Sequence, residues 1–251
     1  MTSTSGFPAL ETTTVERFGR PMRQFPVAVS SEAMALSWAN QEDAPQGATV
    51  VVDHEIRASG LHGRLWTVPP ADSLSFSTVL RPTVSVEEAD SAWLVAAAAA
   101  ADGAQEVSGK ELSTWWPDAV VLGADGQAQV AAVRAEVQLG PGRVKAIVIT
   151  LRFDLPGLGL EVSAKDALLE AVVGAIDRAC ERLAEGPASA AADYEQRCAL
   201  LGNRVRIKLL PKGETRGTAR RVDRAARLEL ESPSGLVEKV TVDQVADLKL
   251  V

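Results

Sequence analysis

The residues of this chain whose types and spacing could do chemistry begin with the stretch EIRASGLHGRLW, from Glu55 to Trp66. Gly60 and Gly63 carry no Cβ, so backbone there can close over a small ligand. Arg64 can meet the anionic part of such a ligand with charge-assisted hydrogen bonds, and Trp66 sets an indole beside it. His62 adds a titratable imidazole in the middle of the loop. A second group, Trp115, Trp116, Pro117 and Asp118, lies further along, followed by the polar or charged side chains Gln129, Arg134, Lys145 and Arg152. The plain alternative for the tryptophans is core, because aromatics beside strands are commonly buried.

These residues need elements to hold them. Thr49 to Val52 is a β-branched strand leading into the loop, and Leu74 to Leu80 alternates as a strand leading out of it. Pro26 to Val29 reads as a first strand, and Ser31 to Asn40 as a helix with Ser30 or Ser31 as its cap. The alanine-rich run from Val86 to Asp102 predicts a tightly packed helix stopped by Gly103. Gln127 to Val137 and Val144 to Phe153 predict a strand pair joined at Gly140-Pro141-Gly142. Leu168 to Leu183 carries an apolar stripe at helical spacing, Gly186-Pro187 ends it, and a short helix from Ala188 to Cys198 follows. From Arg204 to Val251 short strands alternate between turns at Lys212-Gly213, Asp223-Arg224 and Ser234-Gly235.

With 251 residues, 46% of them apolar and 24% charged, the chain suits one medium domain and a small one. No run of 18 apolar residues occurs, and the N-terminus lacks a basic stretch leading into an apolar one. The expectation is a soluble cytoplasmic protein with no membrane partner. Two cysteines, Cys180 and Cys198, without a metal-ligand pattern suggest neither a disulfide framework nor a zinc site. Charge is uneven: residues 1–198 hold 15 Lys/Arg against 26 Asp/Glu, and residues 199–251 hold 11 against 7. An acidic body argues against nucleic acid as a partner, while the basic C-terminal part could meet an acidic partner or the chain's own body.

The segment SGLHGRLW resembles the glycine- and arginine-rich loop of biotin protein ligases, usually GRGRxGRxW, and a strand of the LSFSTVLRP kind follows in both. WWPDAVVL resembles that family's KWPNDV, AQVAAVRAE resembles its GKLAGILAE, and the stretch from Ala192 to Leu230 is the nearest match. The resemblance implies an α+β fold, with a class II aminoacyl-tRNA-synthetase-like mixed sheet and helices plus a small C-terminal SH3-like β-barrel. It divides the chain into a loose lead-in at 1–24, a catalytic-fold domain at 25–200 and the C-terminal domain at 201–251. That lead-in is too short for the winged-helix domain that repressor members carry ahead of the catalytic part.

Aligned on the resemblance, Ser59 and Leu61 stand where the loop motif has arginines, and Glu55 stands at a glutamine. Trp115 takes the place of a lysine, Asp118 that of an asparagine, and Gln129 that of a lysine that reaches biotin carboxylate and phosphate. Ser31-Glu32-Ala33 replaces an STN turn, and Ile149 to Phe153 replaces a GxGxN-like turn, with Arg152 where small residues leave room. The shape residues Gly60, Gly63, Trp66, Trp116 and Pro117 persist.

The expected function is therefore a catalytically degenerate ligase-like protein, a pseudo-ligase that binds a protein partner or a small acyl ligand. The alternative is an active biotin ligase for a carboxyl carrier protein, with relocated cations from Arg64, Arg134, Lys145 or Arg152. Biotin, ATP and magnesium are implied as ligands only for that active form. A third class, acyl transfer without ATP, uses a cysteine-lysine pair in relatives, and neither Cys180 nor Cys198 lies in a motif-bearing loop. The resemblance implies a biotin carrier or carboxylase component as partner, and a homodimer paired sheet edge to edge.

Overall fold

A computed structural model describes residues 13–123, 126 and 128–251. Residues 1–12 of the expected lead-in, and Gln127 at the head of an expected strand, lie outside the described residues. From Thr14 the lead-in is structured: β1 (Thr14–Arg17) and β2 (Arg20–Ala28) form a hairpin turned by Phe18 and Gly19, both at positive φ. Helix α1 (Ser31–Gln41) follows, and the Ser30 hydroxyl accepts from the Ala33 amide at 3.1 Å as the N-cap. Next come β3 (Thr49–Glu55), the glycine loop, β4 (Ser73–Leu80) and α2 (Ser91–Ser108). Two short strands follow, β5 (Leu112–Trp115) and β6 (Ala119–Leu122), then the long hairpin β7 (Ala128–Gly140) and β8 (Arg143–Asp154). The body closes with α3 (Leu155–Leu158), α4 (Lys165–Glu185) and α5 (Pro187–Arg197).

Eight strands form one mixed sheet in the order β1-β2-β3-β4-β8-β7-β6-β5, in which β2 and β3 run parallel and the other neighbours antiparallel. Its two faces follow the period of two along each strand. Val50, Val52, Val79, Ala146 and Val148 meet Ala35, Trp38 and Ala39 of α1. Leu74, Phe76, Ile147, Ile149 and Leu151 belong to the larger core that includes α2 and α4. The sheet is thus covered on both sides, and each residue of β4 is buried.

Helix α2 does not stop at Gly103. It continues to Gly109, which caps it in the left-handed conformation at φ 66. Gly103 has a packing role instead, since a Cβ there would lie 2.5 Å from the Val172 Cα of α4. Gly103→Ala is expected to destabilise the fold by about 1–3 kcal/mol, because two helix backbones must separate. Thermal unfolding should show a drop of several degrees, and an unchanged midpoint would mean that α4 shifts freely.

The C-terminal part corrects the expected SH3-like barrel. Strands β9 (Arg204–Leu209), β10 (Glu214–Val222), β11 (Leu228–Glu231), β12 (Val237–Val240) and β13 (Val245–Leu250) form a five-stranded sheet in the order β12-β11-β10-β9-β13. Its two end strands do not pair, so the sheet is open. Alternation in the sequence fixes which face is apolar, whereas closure depends on strand tilt and stagger, which alternation does not encode. Here the apolar face is covered by the body: Val205, Ile207, Ala219, Val222, Leu228 and Leu230 join the main core. The Trp116 indole donates to the Ala226 carbonyl at 2.9 Å across that junction.

Asp223 organises the turn between β10 and β11, accepting from the Ala225 and Arg227 amides, the Arg227 Nε and the Lys239 Nζ. Burial works to raise its pKa, but these hydrogen bonds outweigh it and lower the carboxyl from 3.8 to about 2. A depressed carboxylate adds stability that is present above its unfolded value and lost as pH falls through the folded one. Asp223→Asn should therefore lower the melting temperature at neutral pH. The gap from the parent protein should narrow between pH 3.8 and about 2. A constant gap across that window would assign the effect to the turn's shape alone.

Among the described residues, no helix is long and apolar enough to cross a membrane.

Candidate functional site

The glycine loop is a closed structure that the chain's own arginines hold in place. Its neck is tied by the Gly60 amide on the Arg64 carbonyl at 2.7 Å and the Trp66 amide on the Ala58 carbonyl at 3.0 Å. At the tip, His62 and Gly63 both take left-handed backbone, φ 52 and 73. Gly63 meets that requirement at no steric cost, whereas His62 is an uncommon occupant. Leu61 turns inward and is buried.

Three arginines from outside and within the loop fix it. The Arg152 Nη1 donates to the Ser59 carbonyl at 3.0 Å, the Arg134 Nη1 to the Gly60 carbonyl at 3.2 Å, and Arg64 pairs with Asp118. Arg152 and Glu55 form a fully buried ion pair with side-chain exposures of 1% and 2%. Its Nε donates to Glu55 Oε2 at 2.6 Å and its Nη2 to Oε1 at 3.2 Å. Glu55 Oε1 also accepts from the Ser31 amide at 2.6 Å and the Ser31 hydroxyl at 2.8 Å. The Ser77 hydroxyl donates to Ser31 at 2.9 Å and lies 2.7 Å from the Thr150 hydroxyl. Every member of this chain of groups has a partner, as a low-dielectric interior demands.

The carboxylates opposite the loop are desolvated. Burial raises the Asp118 carboxyl above its ordinary value, and the Arg64 guanidinium works against that shift. Burial likewise raises Glu32, against which the Arg134 guanidinium lies at 3.1 Å. Beside the loop tip opens a cleft of about 430 Å³ bordered by His62, Asp90, Trp93, Arg134, Glu136 and Asp243. Asp90 is raised by burial and by the nearby charge of Asp243.

The structure thus brings together Glu55, Gly60, His62, Gly63, Arg64, Asp118 and Arg152. Other candidates fall elsewhere. Trp66 ties the loop to β4, its Nε1 donating to the Ser73 hydroxyl at 3.0 Å. Trp115 is half-buried with its ring against Gly126, where a Cβ would come within 2.5 Å. Trp116, followed by a cis bond to Pro117, is buried and faces the C-terminal sheet. Gln129 is exposed, and its amide donates to the Ala131 carbonyl of its own strand at 3.1 Å. Lys145 stands at the turn end of β8, roughly 24 Å along the strand from Arg152 at about 3.4 Å per residue. Ser77 and Thr150 were not among the candidates. The signal for Ser77 lay in β4, where Ser73, Ser75 and Ser77 recur at period two within an otherwise apolar strand.

Burial pushes the Cys180 thiol up to about 11, and also raises Cys198. Neither is a poised nucleophile, since the thiolate is the reactive form.

These elements define an α+β domain with a glycine loop over one sheet face and a second, open sheet packed at its end. The chain is related in sequence to biotin protein ligases and has their catalytic fold. The bifunctional ligase/repressor BirA of Bacillus subtilis is 25% identical over 148 residues, which is 59% of this chain and 42% of the relative. The BirA of Bacillus spizizenii is 25% identical over 137 residues, 55% of this chain and 39% of its own length. The chain thus spans about two fifths of these curated relatives. The structure of a biotin protein ligase from Aquifex aeolicus in complex with biotin and ATP superimposes with a TM-score of 0.70 at 17% identity, covering 92% of this chain and 99% of that one. A biotin protein ligase-like protein of unknown function from Silicibacter gives a TM-score of 0.68 at 16% identity, over 92% of this chain and 98% of that one. No family model matches.

Proposed function

We propose that this chain is a ligase-fold protein that acts by binding, and that it does not form biotinyl-adenylate. The observation that carries this reading is the buried pair of Arg152 and Glu55. It sets two mutually neutralised side chains where the resemblance has a glutamine, at Glu55, and part of a GxGxN-like turn, at Arg152. The other arginines at the loop are also paired, the half-exposed Arg64 with Asp118 and Arg134 of β7 with Glu32 and Glu136. Activating a carboxylate with ATP joins two anions, and stabilising that transition state relies on cations already aimed at the phosphate. Arginines bound to internal carboxylates must first give those partners up, leaving desolvated charges behind. On this reading ATP and magnesium do not fit the residues present. The ligand is a protein surface or a small acyl group taken up beside the loop.

The similarity to working ligases supports a second reading, an active ligase in which Arg64, Arg134 and Arg152 exchange their carboxylate partners for substrate. Incubation of the purified protein with labelled biotin, ATP, magnesium and a biotin carrier domain separates the two. The binding reading expects no labelled carrier above a control lacking the protein. Turnover at any rate proportional to enzyme concentration would establish the second reading.

A further inference from the structure

The outer face of the C-terminal sheet carries a row of like charges that the fold does not need. Lys249 of β13 and Arg216 of β10 are each the directly opposite partner of Arg206 on β9, the strand between them. Like charges placed directly opposite across strands are unfavourable. Arg204 and Lys208, two residues to either side on β9, point to the same face and are exposed. Two carboxylates lie among these five cations: Glu214, bonded to Arg216 at 2.7 Å and 4.0 Å from Arg206, and Asp247, 3.6 Å from Lys249. Glu214 is held below its ordinary value by the hydrogen bond from Arg216, with the charges of Arg206 and Lys208 adding to the effect. The opposite face of this sheet is already occupied by the core.

We propose that this face docks an acidic segment of a partner protein, independently of what the central loop binds. Charge complementarity selects the sign of the partner: residues 199–251 hold 11 Lys/Arg against 7 Asp/Glu, on a chain whose remainder is acidic. Geometry selects its form. Cations repeat at about 5 Å across strands and about 7 Å along β9, and an extended peptide with carboxylates at every second residue repeats at that same 7 Å. A nucleic acid fits less well, because residues 199–251 contain no Phe, Trp or Tyr on which a base could stack. The acidic body would also repel a long polyanion.

The test uses the full chain and a fluorescent peptide of alternating glutamate and serine, with an oligothymidylate of equal charge as competitor. Fluorescence anisotropy should show peptide binding that weakens with salt and falls roughly tenfold or more in the triple variant R206Q/R216Q/K249Q. The melting temperature of that variant should equal or exceed the parent's, because opposed like charges have been relieved. A residue set with only a structural role would instead lower it. Absent binding, or equal binding by the triple variant, would overturn the proposal. So would tighter binding of the oligothymidylate than of the peptide. Self-association in sedimentation that the triple variant abolishes would assign the face to a second copy of this chain instead. None of these outcomes depends on whether the protein transfers biotin.

Discussion

Replacing Glu55 by alanine is expected to lower the melting temperature by on the order of 10 °C, because Arg152 would be left as a buried charge without its carboxylate. Breaking a buried pair by removing one partner costs about 3–5 kcal/mol, and in a protein of this size each kcal/mol moves the midpoint by about 2–4 °C. The Ser31 amide and hydroxyl would lose their acceptor in the same step. Glu55→Gln combined with Arg152→Met should lie much closer to the parent, since it removes both charges while a side-chain carbonyl remains for Ser31. Thermal denaturation followed by circular dichroism reads both variants. If Glu55→Ala left the midpoint unchanged, water would have to reach Arg152, and the site would be open where the ion pair now closes it.

Trp116→Ala should produce a loss of similar size through a different mechanism. The indole is 1% exposed and bridges the body and the C-terminal sheet, so its removal opens a cavity at their junction. Large-to-small changes of buried tryptophan cost about 3–5 kcal/mol. Trp116→Phe keeps most of the packing and forfeits the hydrogen bond to Ala226, an expected loss of about 1 kcal/mol from that bond with a further packing cost. Hydrogen exchange adds a positional readout. In Trp116→Ala the amides of β9 to β11 should lose protection before those of β4 and β8. Uniform loss across both sheets would mean that the junction is not a separable boundary.

Much of the architecture was legible in the chain because it is periodic. The alternation in Leu74 to Leu80 and the stripe from Leu168 to Leu183 mark elements that the structure contains as β4 and α4. Glycine was harder to interpret. Gly103 looked like a stop signal, but whether a glycine ends a helix or admits a neighbouring helix depends on what packs against it, here Val172. Closure of the C-terminal strands was misjudged for a related reason: the same apolar alternation serves a barrel or an open sheet laid on a core.

At the site, the loop residues Gly60 to Trp66 stood out by composition, and the structure does gather Arg64 and Arg152 around them. What no pattern showed was how the charges pair. Glu55 and Arg152 lie 97 positions apart, so their meeting is set by the sheet register that places β3, β4 and β8 side by side. Ser77 of β4 acquires its meaning only then, as part of the polar floor with Ser31 and Thr150. Trp116 suggested a shape role and Trp115 stood in a lysine's place, and their two rings go to different places.

The most direct measurement of the central claim is calorimetric titration of the purified protein with a non-hydrolysable biotinyl-adenylate analogue, alongside biotin alone and biotin with ATP and magnesium. With Arg64, Arg134 and Arg152 held by internal carboxylates, no heat of binding is expected in any of the three. Tight binding of the analogue would contradict that account, because the arginines would then have exchanged their partners for the ligand and the site would be that of a working ligase.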